Sequence, residues 1–191
     1  MRLGYMTNAF GPLVGSGAGV TSVKDIRYLT MCDDSEAMKT IRDIGFEYIE
    51  VLDGNLTKYA DNIDELKEMM KNADVHMMSV CIGANFIYKD ALEDEMAHVE
   101  EVCKAAKDVG VTYLVVCGGA IRNGGIRPGD TKLLAEGLVE LEKVAEKYGL
   151  IACFHPHLGS IAEKPKEIDE LLEYSNIKVC PDVAHLAAGG Y

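Results

Sequence analysis

Three of the five histidines in this 191-residue chain fall in two short strings, Phe154-His155-Pro156-His157 and Pro181-Asp182-Val183-Ala184-His185. Each string begins where an apolar run stops. Imidazole nitrogen and carboxylate oxygen both bind borderline divalent cations, and a carboxylate straight after a buried strand needs a partner. Imidazole also gains and loses a proton near neutral pH. A divalent ion that binds a ketone oxygen and a neighbouring hydroxyl polarises the carbonyl and stabilises the enediolate left when an α-proton is removed. A histidine beside it can pick up or return that proton. Return to the adjacent carbon or to the other face gives isomerisation or epimerisation. Loss of a β-hydroxyl gives dehydration, and loss of a larger β-substituent gives cleavage of a C-glycoside.

Such a site needs several strand ends brought together, and the sequence provides a repeating unit that does this. Gly45, Gly110 and Gly149 each close an amphipathic segment and lead into an apolar run, the order being helix, C-terminal glycine, buried strand. The spacing predicts helices over Ser35 to Ile44, Ile63 to Lys71, Leu92 to Val109, Thr131 to Tyr148 and Pro165 to Tyr174. Strands are predicted over Leu3 to Thr7, Glu47 to Leu52, Met77 to Ile82, Tyr113 to Cys117, Ile151 to Phe154 and Lys178 to Cys180. Most are apolar on both faces, as in a parallel sheet covered by helices. Cys81, Cys117 and Cys153 recur at equivalent late positions in three of them.

Six such units form either an open doubly wound sheet or six-eighths of a (β/α)8 barrel, which typically takes about 250 residues. Two features favour the TIM barrel. The last strand is followed by what reads as a loop, Asp182 to Tyr191, with no covering helix. Polar residues also stand at nearly every strand end, among them Asn8, Glu50, Asp53, Asn85 and Arg122, whereas an open sheet concentrates its site at one switch point. The expectation is one domain, 1–191, covering the first six β/α units and incomplete at its C-terminal side. Exposed strand edges in such an arc invite association, including homo-oligomers.

Composition narrows the partners. A net charge of −12 repels a phosphate backbone, so nucleic acid is not expected. No apolar run is long enough for a bilayer, and the start of the chain lacks a signal-peptide core, so a cytoplasmic protein without a membrane partner is expected. Six dispersed cysteines without a C-x-x-C pair read as reduced thiols. Gly15-Ser16-Gly17-Ala18-Gly19 lacks the dinucleotide-binding spacing, and Ala9 to Asp34 reads as an irregular loop or lid over the first strand end. The string Gly118 to Gly125, with Arg122, could bring backbone N–H groups and a guanidinium onto a substrate oxygen. His76 and His98 read as solvated or structural.

The run His155-Pro156-His157-Leu158-Gly159-Ser160, with Asp182-Val183-Ala184-His185 and Gly189-Gly190 behind it, resembles the xylose-isomerase-like TIM barrels. That family includes sugar phosphate isomerase/epimerases and inosose dehydratases. The resemblance implies one divalent ion, manganese or cobalt first, magnesium or zinc as alternatives. It makes Asp182 similar to a metal carboxylate and His185 to a nearby substrate-binding histidine. His155 stands where the epimerases carry a ligating glutamate, a departure that points toward the dehydratase branch. The implied set is His155 and Asp182 on the metal, His157 and His185 as catalytic groups, and Asn8, Glu50, Asn85 and Arg122 on the substrate. The implied substrate is a small keto-sugar or keto-cyclitol. The implied activity is dehydration like that of an inosose dehydratase, with a sugar isomerase or epimerase, a C-glycoside deglycosidase subunit or a non-catalytic sugar-binding subunit as alternatives.

Overall fold

The computed structural model describes residues 2–15 and 27–191. Most of the glycine string after Gly15, and much of the loop expected as a lid, lie outside the described residues. Six strands form one sheet: β1 (Gly4–Met6), β4 (Tyr48–Leu52), β5 (His76–Ala84), β6 (Tyr113–Gly118), β7 (Ile151–His155) and β8 (Lys178–Val179). They pair in that order and every pairing is parallel. Parallel neighbours require crossovers, which α1 (Asp34–Asp43), α3 (Ile63–Ala73), α4 (Leu92–Asp108), α5 (Asp130–Lys147) and α6 (Pro165–Tyr174) supply. This is the α/β arc of a TIM barrel, with all its strand C-termini at one end.

The two apolar faces of each strand bury into different places. Residues such as Ile49, Val80, Ile82, Leu114, Val116 and Phe154 face the helices and join the main core with Ile41, Leu66, Val102, Leu134, Leu138 and Leu141. The alternate residues Leu52, Cys81 and Val115 form a second, small cluster with Met6, Cys117 and Cys180 on the inner side of the arc. A strand buried on both sides has to be apolar at consecutive positions, which is the pattern the sequence shows.

Five elements depart from the sequence reading. Part of the expected loop is ordered as a 3-10 turn (Thr7–Phe10) and an antiparallel pair, β2 (Leu13–Gly15) with β3 (Tyr28–Thr30). A short helix, α2 (Asp53–Thr57), follows β4 directly. Its side chains clamp β3: Asp53 Oδ1 accepts from Tyr28 N at 2.9 Å, while Asn55 accepts from Thr30 N at 2.8 Å and donates to Thr30 O at 3.1 Å. Gly54 lets the two backbones approach, since a Cβ there would lie 2.7 Å from Tyr28 O. The segment after β8 is also helical, α7 (Val183–Gly189), which corrects the expected loop. Asp182 starts it by accepting from Ala184 N and His185 N at 2.8 and 3.0 Å.

Candidate metal and substrate site

The end of β7 delivers His155, and the loop behind it delivers His157. That loop is folded on itself: Ser160 Oγ and N donate to His157 O, Gly159 N donates to Glu163, and Ile161 N donates to Gly119 O. Ile161 and Ala162 are buried beneath it. His157 Nδ1 lies 2.7 Å from Leu158 O. A carbonyl oxygen only accepts, so Nδ1 carries a hydrogen, and Nε2 is the ring nitrogen left without that bond.

His185, on the first turn of α7, completes a three-imidazole cluster. Ligand-competent nitrogens of His155, His157 and His185 all lie within 4.8 Å of one another. The ring centroids are 3.9 Å apart for His157 and His185, and 5.6 and 5.5 Å from His155 to each of these. Burial, reinforced by neighbouring His157, holds His155 below the ordinary imidazole range, so it stays neutral and able to coordinate. Asp182 stands at the edge of the cluster, its Oδ2 3.8 Å from His185 Nε2. The hydrogen bond from His185 N, aided by that from Ala184 N, holds the Asp182 carboxyl below its usual range and keeps it ionised. Three imidazole nitrogens and an adjacent carboxylate are a donor set that suits a borderline divalent ion.

Beside the cluster opens a cavity of about 370 Å³, with His157 and Ser160 on one wall and Tyr28, Asn85, Glu95 and His98 on the others. Of the expected substrate contacts, Asn85 lies on this wall. Asn8 is exposed on the 3-10 turn and is not among the lining residues. Glu50 faces the arc interior and accepts a hydrogen bond from Ser79 Oγ, and burial raises its carboxyl above the usual range. Arg122 does not reach the cavity. Its Nε donates to Asp130 at 2.9 Å, its NH2 donates to Ile87 O at 2.6 Å, and its guanidinium lies over the Tyr88 ring at 4.8 Å. These contacts tie Arg122 to Asp130, Ile87 and Tyr88. Nor is Gly119 N free for an oxyanion, since it donates to Ala84 O at 2.8 Å.

Two cavity residues were not taken as site residues from sequence. His98, read as solvated or structural, is buried, and its Nε2 lies 2.9 Å from Asp53 Oδ2. Glu95, one turn earlier on α4, is equally buried and accepts from Asn85 N and Phe86 N at 2.7 and 3.0 Å. Burial raises its carboxyl despite those two bonds. Glu95, His98, Val99 and Val102 are all buried along one face of α4, a helical period that is visible in the sequence once charged residues are allowed onto it.

Parallel strands, crossover helices and imidazoles gathered at the strand C-termini define a barrel of the kind that builds metal sites in its terminal loops. The chain belongs to the xylose isomerase-like TIM barrel family, whose model matches residues 38–191. An inosose dehydratase of Geobacillus kaustophilus (strain HTA426) is 23% identical over 172 residues, which cover 82% of this chain and 54% of that protein. The chain therefore spans about half the length of the curated relatives it matches. A solved D-psicose 3-epimerase of Clostridium cellulolyticum H10, crystallised with D-tagatose, aligns with a TM-score of 0.72 at 18% identity, covering 97% of this chain and 64% of that one. An IolI protein with a bound zinc atom aligns with a TM-score of 0.71 at 17% identity, covering 100% of this chain and 66% of that one. Among the described residues no helix is long and apolar enough to cross a membrane.

Proposed function

We propose that the full-length protein is a metal-dependent enzyme that removes the α-proton of a small keto-sugar or keto-cyclitol, with loss of a β-hydroxyl, as an inosose dehydratase does. The observation that carries this reading is the three-imidazole cluster beside a cavity of about 370 Å³, a volume suited to one sugar ring. The inosose dehydratase relatives support the dehydratase over the isomerase outcome.

His155, His185 and Asp182 would hold the ion, with manganese or cobalt first among the candidates. When bound, the ion would polarise the substrate carbonyl and stabilise the charge left on its oxygen. His157 moves the proton: of the three histidines it alone is a cavity-lining residue, and with Nδ1 bonded to Leu158 O its Nε2 is the ring atom left to face the substrate. Sequence reasoning placed His185 with His157 in that task, but its nearness to His155 and Asp182 favours the ligand side. Asn85 and Ser160 are placed to bond substrate hydroxyls.

Isotope exchange tests the reading. In heavy water the metal-loaded protein should exchange or release the hydrogen beside the carbonyl of a keto-sugar or inosose, and a chelator should stop it. His185→Ala and Asp182→Asn should lose bound metal and exchange together, whereas His157→Ala should keep the metal and lose exchange. Turnover with that hydrogen retained, or turnover indifferent to chelation, refutes the mechanism. Absence of a stoichiometric ion from the full-length protein would favour a sugar-binding subunit without catalysis.

A further inference from the structure

Beneath the imidazole cluster the inner face of the arc carries sulfur. In the strand register Cys117 on β6 stands opposite His155 on β7 and opposite Gly83 on β5. The Tyr28 ring packs where a Gly83 side chain would lie, and the Cys117 side chain meets that of Cys81, two residues earlier on β5. The two Sγ atoms are 3.4 Å apart. Both thiols are free, and both residues line the cavity.

Strand geometry decides what this pair can do. Two residues along a strand span about 6.6 Å and neighbouring strands lie about 4.8 Å apart, so a diagonal pair has its Cα atoms about 8 Å apart. A disulfide needs Cα atoms closer than about 7 Å, so direct oxidation would have to pull the sheet out of register. A bridging ion makes no such demand. With metal–sulfur bonds of about 2.3 Å and a tetrahedral angle, two thiolates sit about 3.8 Å apart. Each Sγ reaches that spacing by moving about 0.2 Å, within the freedom of a single side-chain rotation.

We propose that Cys81 and Cys117 form a two-thiolate site for a soft, thiophilic divalent cation of the zinc or cadmium type. Two S–H bonds break, two metal–sulfur bonds form, and two protons leave to solvent. Thiolate ligands select soft ions, as the histidine and carboxylate cluster does not, so the chain offers two sites of different preference side by side. The cavity leaves the remaining coordination positions to water or a small ligand. The proposal is independent of the function proposed above, because it needs neither the histidines nor catalysis.

Cadmium alone is the probe, added to the reduced full-length protein and followed by the ultraviolet cadmium–thiolate charge-transfer band. One equivalent should produce the band in the unaltered protein and equally in the His155→Ala, His185→Ala and Cys153→Ser variants. Cys81→Ser and Cys117→Ser should each abolish it. Differential alkylation read by mass spectrometry gives the same answer without any substitution: bound cadmium should protect Cys81 and Cys117 while Cys32 stays reactive. No band at one equivalent, a band that survives both serine substitutions together, a band that vanishes with the histidines, or cadmium-indifferent alkylation of Cys81 and Cys117 overturns the proposal.

Discussion

Replacing Asp53 should show how strongly α2 binds the cavity wall together. Its side chain is fully buried and holds two partners from distant parts of the chain, Tyr28 N on β3 and His98 Nε2 on α4, each at 2.9 Å. Asp53→Ala strands both groups, at about 1–3 kcal/mol for each orphaned polar group. The expected loss is about 3–5 kcal/mol, the range seen when one member of a buried pair is removed. Asp53→Asn keeps a carbonyl oxygen for Tyr28 N. Its amide can donate to His98 Nε2 if the ring hydrogen moves to Nδ1, which has no hydrogen-bond partner among the described residues. That variant should lose about 1–2 kcal/mol, roughly one neutral hydrogen bond. In a His98→Leu background one orphan disappears, and the cost of Asp53→Ala should fall by about 1–3 kcal/mol. Urea unfolding of the full-length protein, followed by far-ultraviolet circular dichroism with the m-value held as a check, measures all four quantities. An Asp53→Ala cost below about 0.5 kcal/mol, the scatter of ordinary surface changes, would refute the argument. So would an equal cost in both backgrounds.

Two further outcomes follow from the same interior. Gly137→Ala should destabilise although alanine is the better helix former. A Cβ there would lie 2.4 Å from Phe86 Cβ, and overpacking of about 1–3 kcal/mol outweighs a propensity gain of about 1 kcal/mol. A raised melting midpoint contradicts this. For Glu50, burial raises the folded-state carboxyl above its unfolded value, against the opposing bond from Ser79. The folded chain therefore binds that proton more tightly, and stability falls as pH rises from the unfolded value, about 4.3, through the folded one. Glu50→Gln should accordingly raise the unfolding midpoint at neutral pH and change little near about pH 4. Equal shifts at the two pH values would remove burial as the cause.

The repeating unit was legible because its punctuation is local. Gly45, Gly110 and Gly149 adopt φ of 100°, 80° and 80°, the left-handed conformation that ends a helix, and the apolar runs after them become β4, β6 and β7. Pro165 opens α6 at the expected residue. What escaped depends on partners far along the chain. Asp53-Gly54-Asn55 shows no helix of its own in the sequence, because its side chains find their partners on β3, whose Tyr28 and Thr30 amides donate to Asp53 and Asn55 and whose Thr30 carbonyl accepts from Asn55. His98 reads as either solvated or structural among Glu93, Asp94, Glu100 and Glu101, and the choice between the two rests on Asp53, 45 positions away. Arg122 looks like a substrate ligand because nothing nearby in its loop announces Asp130 as its partner. At the candidate site, the strand end that carries His155 and His157 could be read from the sequence. The position of His185 could not, because it follows from α7, a helix that local pattern alone gave as a loop.

That helix has only seven residues, none of them buried, and a segment so short does not stay helical on its own. Three fastenings hold it: the Asp182 cap, Leu186 packed at the edge of the core, and Gly189, whose backbone lies so close to Glu163 O that a Cβ would sit 2.4 Å away. Its amides should therefore trade hydrogen for deuterium through local opening long before those of β5 and β6, which exchange only with the whole fold. Anything that ties His185 to His155 closes that opening. Filling of the site then becomes visible as slowed amide exchange over residues 186–191, a signal that needs no turnover to be seen.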